Sequence, residues 1–187
     1  MPNVTNPTML IVAVVVVIAV VAIAWLVMQR QRRAHLRERF GPEYERTVRS
    51  VGTAGRAEAE LAAREKRVEA YHIHPLSDEE RARYSGRWRQ VQAMFVDDPG
   101  AAVTEADALV NEVMNARGYP MADFDRRVDD LTVEHANVVH HYRAAREIAS
   151  RHARRAASTE ELRQALVHYR ELFSDLLGVH DPARRSA

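Results

Sequence analysis

The chain contains no cysteine, seven glycines and seven prolines among 187 residues, a single lysine (Lys66), and aromatics at only 6%. Without cysteine there is no disulfide framework, no Cys-ligated zinc or iron–sulfur cluster and no thiol nucleophile. Few aromatics and few Gly or Pro argue against a β-sandwich and against a low-complexity chain. The length allows one ordinary domain and a small extra element, not a multidomain enzyme. Arginine supplies 26 of the 27 cations and alanine is abundant, a skew that a GC-rich coding sequence produces.

What is present is concentrated at the start. Met9 to Met28 is a run of 20 apolar residues: 13 Val, Ile or Leu, four Ala, two Met and Trp25. As a helix rising 1.5 Å per residue it spans ~30 Å, the thickness of the hydrocarbon layer. Val and Ile favour strands in water. A lone strand in lipid leaves its backbone polar groups unsatisfied, so a transmembrane helix is the expected structure. The aliphatic residues favour insertion by about 4–8 kcal/mol. A cleaved signal peptide is the competing reading, and Ala22-Ile23-Ala24 has the small-x-small pattern. Met1–Thr8 has no Lys or Arg, however, and Trp25-Leu26-Val27-Met28 carries the apolar run through that site.

Arg30, Arg32, Arg33, Arg37 and Arg39 follow, opposed only by Glu38. The positive-inside rule places the N-terminus outside and the rest of the chain in the cytoplasm, with Trp25 at the interface. The five arginines read first as a topology signal and second as a site for anionic lipid head groups. Residues 29–39 carry a net +4 and residues 40–187 a net −3, so no nucleic-acid partner is expected.

Beyond the membrane segment every signal is helical, and no stretch alternates as a strand does. The expected fold is all-α: an N-terminal transmembrane helix followed by a soluble helical bundle. The expected organisation is a short tail (1–8), the transmembrane helix (9–28), basic juxtamembrane and stalk helices (29–73), a bundle (74–178) and a flexible tail (179–187). Gly41-Pro42 ends the first helix, and Pro42 opens a short one to Val51. Residues 54–73 have a thin apolar stripe (Ala57, Leu61, Val68, Tyr71). This predicts a solvated stalk or weak coiled coil that self-associates or packs on the bundle. Ser77 with Glu80, and Ser158 with Glu161, are capping boxes. Asp98 caps the helix opened by Pro99. A short amphipathic segment uses Phe124, Val128 and Leu131, and one long helix is expected from about His135 to Arg155. Two aromatic-rich stripes, Tyr84/Trp88/Val91/Phe95 and Tyr169/Phe173/Leu176, are candidates for the core or for an interaction groove for an unidentified protein partner.

The blocks RERFGPEYERTV, HIHPLSDEERARY, WRQVQAMFVDDPGAAVTEADALV, VMNARGYP, VVHHYRAAREIA and TEELRQALVHYRELFSDLL cover most of the region from Arg39 to Leu177. They resemble an uncharacterised family of small bacterial membrane-anchored helical proteins, some labelled "secreted". The resemblance implies a folded domain behind an N-terminal anchor and transfers no catalytic residue, cofactor or substrate. The label implies export, opposite to the charge-based orientation, and reflects the apolar N-terminus.

Chemistry is sparse. Glu69-x-x-His72 is half of a di-iron pattern without its second half, and no His-Glu-x-x-His occurs. His135, His140 and His141 are spaced for different helix faces, and His72-x-His74 precedes a proline. No metal or cofactor is expected, although an exported domain binding metal or a small ligand through His72, His74 and the His135–His141 region is the alternative. No Gly-x-Ser-x-Gly or phosphate-binding glycine loop is present, so no catalytic role is expected.

Overall fold

A computed structural model describes residues 7–121 and 123–178, with side chains from Ile11 onward; the tail 179–187 and most of the tail 1–8 lie outside the described residues. The fold is all-α, with eight helices and no strand among the described residues: α1 Pro7–Phe40, α2 Pro42–Val51, α3 Ala54–Glu69, α4 Asp78–Asp97, α5 Pro99–Ala116, α6 Phe124–His135, α7 Val139–Ala153 and α8 Thr159–Leu176.

Local rules place most of the boundaries. At Gly41 the backbone turns through φ +46°, a conformation that side-chain-bearing residues rarely adopt, and Pro42 starts α2 in its first turn. Ser77 and Glu80 bond reciprocally at the start of α4, as do Ser158 and Glu161 at the start of α8. Asp98 accepts from the Ala101 amide and caps α5.

Two boundaries differ from expectation. The long helix predicted from His135 is divided: His135 ends α6, and α7 starts at Val139 after a turn in which the Val138 amide bonds the His135 carbonyl. Asn137, a poor helix-interior residue, sits in that turn, its side-chain oxygen close to Gly41. The helix predicted through Ile73 stops at Glu69, and the connection that follows is tied to the end of α5 by the His74 amide, which donates to the Arg117 carbonyl at 3.0 Å. Its apolar stripe is filled from within the chain. Ala57, Leu61 and Val68 are buried, the last two in a small cluster with Leu36, Phe40, Tyr44 and Val133.

The larger core lies among α4, α5, α7 and α8, with α6 contributing Val128 and Leu131. Trp88 and Phe173 stack at 4.7 Å between ring centroids, and Leu109, Tyr142 and Leu172 are fully buried around them. Ile73 packs against both clusters, and ion pairs strengthen the join between the smaller one and the bundle. Arg143 of α7 grips Glu43 of α2 with two bonds of 2.7 and 2.8 Å. Arg64 of α3, its side chain 9% exposed, reaches Glu60 at 2.5 Å, Asp129 of α6 at 3.0 Å and Glu43 at 3.8 Å. Arg67 bonds Asp130 at 2.7 Å, and the Tyr71 hydroxyl donates to the same carboxylate. Burial raises the Asp129 carboxyl above its ordinary range, with Arg64 pulling the other way.

Candidate membrane-proximal site

α1 is one unbroken helix of 34 residues, about 51 Å long. Its apolar part is long enough to cross a membrane by length and composition. The large apolar side chains from Ile11 to Met28 are 47–67% exposed, and no other described element covers them. A core helix of equal apolarity in a water-soluble protein would be buried. Trp25, 61% exposed, stands one turn before the end of this stretch at Met28.

The arginines that follow form two groups. Arg33 donates to Glu58 at 2.6 Å, Arg39 pairs with Glu65 at 3.3 Å, and Arg37 lies 3.9 Å from Glu45 and over the Tyr44 ring at 5.0 Å. These three hold α1 to its own domain. Arg30 and Arg32 are exposed and form no ion pair among the described residues. The flank that reads as a single cluster in the sequence is thus a brace of three cations and a free pair of two.

The pairs also set the register. Arg33 meets Glu58, and Glu65 meets both Arg39 and His35, so α1 and α3 run parallel at an offset of 25 to 30 residues. At that offset Ala54, the first residue of α3, stands level with the end of the apolar run, between Ala24 and Gln29. α2 descends between them, and the α2–α3 corner lies at the same level. Gly52 makes this reversal at φ +82° and donates its amide to the Val48 carbonyl.

The corner is cationic. Arg46, Arg49 and Arg56 are exposed and form no ion pair among the described residues. The 12 residues from Arg46 to Ala57 contain no Asp or Glu. Sequence reasoning did not group these arginines with Arg30–Arg39 because they follow Arg39 by 7 to 17 positions. The acid-free interval was the available signal. Between corner and anchor lies an open cleft of about 710 Å³, with Trp25 and Met28 on one wall, Gly55 and Ala59 on the other, and Arg32 and His35 on its rim. A Cβ added at Gly55 would meet nothing within 4 Å. The cleft's carboxylate, Glu58, is already engaged by Arg33 and by the Tyr44 hydroxyl at 2.9 Å.

The other sequence candidates fall elsewhere. Tyr84, Trp88, Val91, Tyr169 and Phe173 are buried and Phe95 packs against the same cluster, so these stripes are core and offer no groove. His135 is held between Arg117 and Asp175. His141 is separate from it and meets a residue that spacing did not single out, His168, with their Nδ1 atoms 2.9 Å apart. His140 lies against His141. Burial, and then His140, lower the His168 imidazole below its ordinary value. His72 and His74 are exposed in the α3–α4 connection. Among the described residues no group of three or more His, Asp or Glu is placed to hold a metal ion. The buried Tyr119 and Tyr169 hydroxyls donate to Glu134 at 2.7 Å and Asp107 at 2.9 Å. Burial pushes both phenols up, and that of Tyr142 to about 12, so they serve as hydrogen-bond donors and not as bases.

No family model matches this chain, and neither a curated protein nor a solved structure matches it.

Proposed function

We propose that this chain is a single-pass membrane protein whose all-helical domain works as a non-catalytic interaction or scaffold module held at the bilayer by Met9–Met28. The observation that carries the reading is the exposure of every large apolar side chain from Ile11 to Met28 on a helix continuous with a packed domain. Water is a poor solvent for that surface, and lipid removes it from water without any further protein. Arg30 and Arg32 at the end of the stretch favour a cytoplasmic domain under the positive-inside rule. Anionic lipid and an unidentified protein are the partners this role implies. Because the apolar stripe of α3 is filled by the chain itself, self-association through α3 is weak in this reading.

Alkaline carbonate washing of membranes carrying the full chain tests the anchor. The chain is expected in the pellet with Met9–Met28 retained; recovery in the supernatant, or a mature N-terminus beyond Trp25, overturns the reading. A reporter fused after Ala187 tests the side. Fluorescence from a protein that folds only in the cytoplasm is expected, and alkaline phosphatase activity would place the domain on the exported side.

A further inference from the structure

We propose that the α2–α3 corner and the cleft beside it form a docking face for the head group of an anionic phospholipid, so that the domain lies against the bilayer. The proposal rests on α1 spanning the membrane, and it goes beyond that by naming a second, separate contact with lipid.

Three independent observations converge on it. The first is height. The Arg33–Glu58, Arg39–Glu65 and His35–Glu65 pairs hold the start of α3 level with the end of the apolar run, between Ala24 and Gln29, so a bilayer matched to that run has its head-group layer near the corner. The second is charge. Arg46, Arg49 and Arg56 add to Arg30 and Arg32 to give five exposed cations at this end of the domain, and no carboxylate lies between Glu45 and Glu58 to offset them. Over residues 40–187 as a whole the charge is slightly negative, so the polarity is local. The third is shape. The cleft is apolar where Trp25 and Met28 line it and cationic at Arg32, matching a lipid whose glycerol and upper acyl carbons give way to a phosphate. Its one carboxylate, Glu58, is bonded to Arg33 and Tyr44 and so repels a phosphate little. Gly55 leaves the far wall without a side chain, which keeps the cleft open.

Arg33, Arg37 and Arg39 are excluded from this face because they are engaged with Glu58, Glu45 and Glu65. Of the arginines nearest the anchor in sequence, only Arg30 and Arg32 act on lipid. The remaining three lipid contacts come from α2 (Arg46, Arg49) and the start of α3 (Arg56), which the fold brings back to that level.

The absence of native cysteine allows single-cysteine labelling of the full chain. Thr53→Cys places a fluorophore at the corner. Ala70→Cys places the same fluorophore at the exposed far end of α3, about 25 Å away along the helix. Both chains are reconstituted into phosphatidylcholine vesicles with or without phosphatidylglycerol, each containing a lipid with a nitroxide on its head group. In phosphatidylglycerol vesicles the label at position 53 is expected to be quenched several-fold more than that at 70. The difference should shrink in phosphatidylcholine alone and in the Arg46→Gln/Arg49→Gln/Arg56→Gln variant. It should persist in Arg83→Gln/Arg89→Gln/Arg154→Gln, which removes the same charge elsewhere. Gly55→Leu, which fills the cleft, should reduce the phosphatidylglycerol that co-purifies with the full chain in native mass spectrometry. Equal quenching at 53 and 70 in phosphatidylglycerol vesicles that retain the chain through a carbonate wash overturns the docking face and leaves the anchor intact. Quenching at 53 that is independent of phosphatidylglycerol overturns the anionic preference. Loss of the chain in the wash overturns the anchor, and the docking face with it.

Discussion

The α4/α5/α7/α8 bundle and the α2–α3 layer beside it are built on different physics. The bundle buries a continuous set of aliphatic and aromatic side chains, with Trp88 on Phe173 near its middle. The layer packs Tyr44, Leu61 and Val68 against Leu36 and Phe40 of α1 and Val133 of α6, and its attachment adds the ion pairs of Glu43, Arg64, Arg67 and Asp130. Apolar packing is tolerant and additive over area, whereas a buried ion pair is sensitive to the loss of either member. Removing one partner strands the other charge away from water. The region nearest the proposed membrane is therefore the one whose attachment a single charge can undo.

The largest effect should come from the bundle. Trp88→Ala is expected to cost about 4 kcal/mol in denaturant unfolding of the full chain in micelles, and to speed amide exchange in every helix from α4 to α8. Glu43→Ala is expected to cost about 3 kcal/mol, because it leaves Arg143 without its bidentate partner and Arg64 with one fewer carboxylate. Its increase in exchange should be confined to α2, α3 and the adjoining face of α6. Glu43→Met/Arg143→Met should recover much of the loss, since matched apolar groups need no partner. If Glu43→Ala instead loosened α4 and α8 as much as α2, the two regions would be one cooperative unit and the contrast drawn here would fail.

The smallest effect concerns pH. The His168 imidazole lies below its ordinary value near 6.5, so between that value and its folded value the unfolded chain binds more protons than the folded one. Its contribution to stability is complete above the ordinary value and is lost as pH falls through it. Burial is the main cause of the lowering, His140 adds to it, and Glu171 opposes it. A melting series between about pH 8 and pH 5 should show a decline that His168→Gln flattens.

Features governed by neighbours in sequence were legible from the sequence. Gly41-Pro42, Ser77 with Glu80, Asp98-Pro99 and Ser158 with Glu161 bound helices through bonds that span at most four residues. The apolar stripes of α4, α5 and α8 were equally plain, since their periodicity is a local property. The ion-pair seam was not readable. Glu43 and Arg143 are 100 residues apart, and in a chain with 26 arginines and as many acids no pattern marks which will meet. The same blindness hid that Arg33, Arg37 and Arg39 meet Glu58, Glu45 and Glu65, whereas Arg30 and Arg32 form no ion pair among the described residues. The break before α7 was not readable either, because the apolar spacing of Val138, Val139, Tyr142 and Ala145 is compatible with one continuous helix.

The unbroken path of α1 has a mechanical consequence. The rod that presents its apolar length to the outside ends inside the protein, where Leu36 and Phe40 are wedged among Tyr44, Leu61 and Val133. In the proposed anchored state the kink-free helix is a stiff lever with its pivot at the lipid surface. From Met28 to Phe40 the arm measures about 18 Å, so an incline of ~20° swings the wedged end sideways by about 6 Å. The grip on Leu36 and Phe40 thereby ties the slant of the rod to the posture of everything mounted on it.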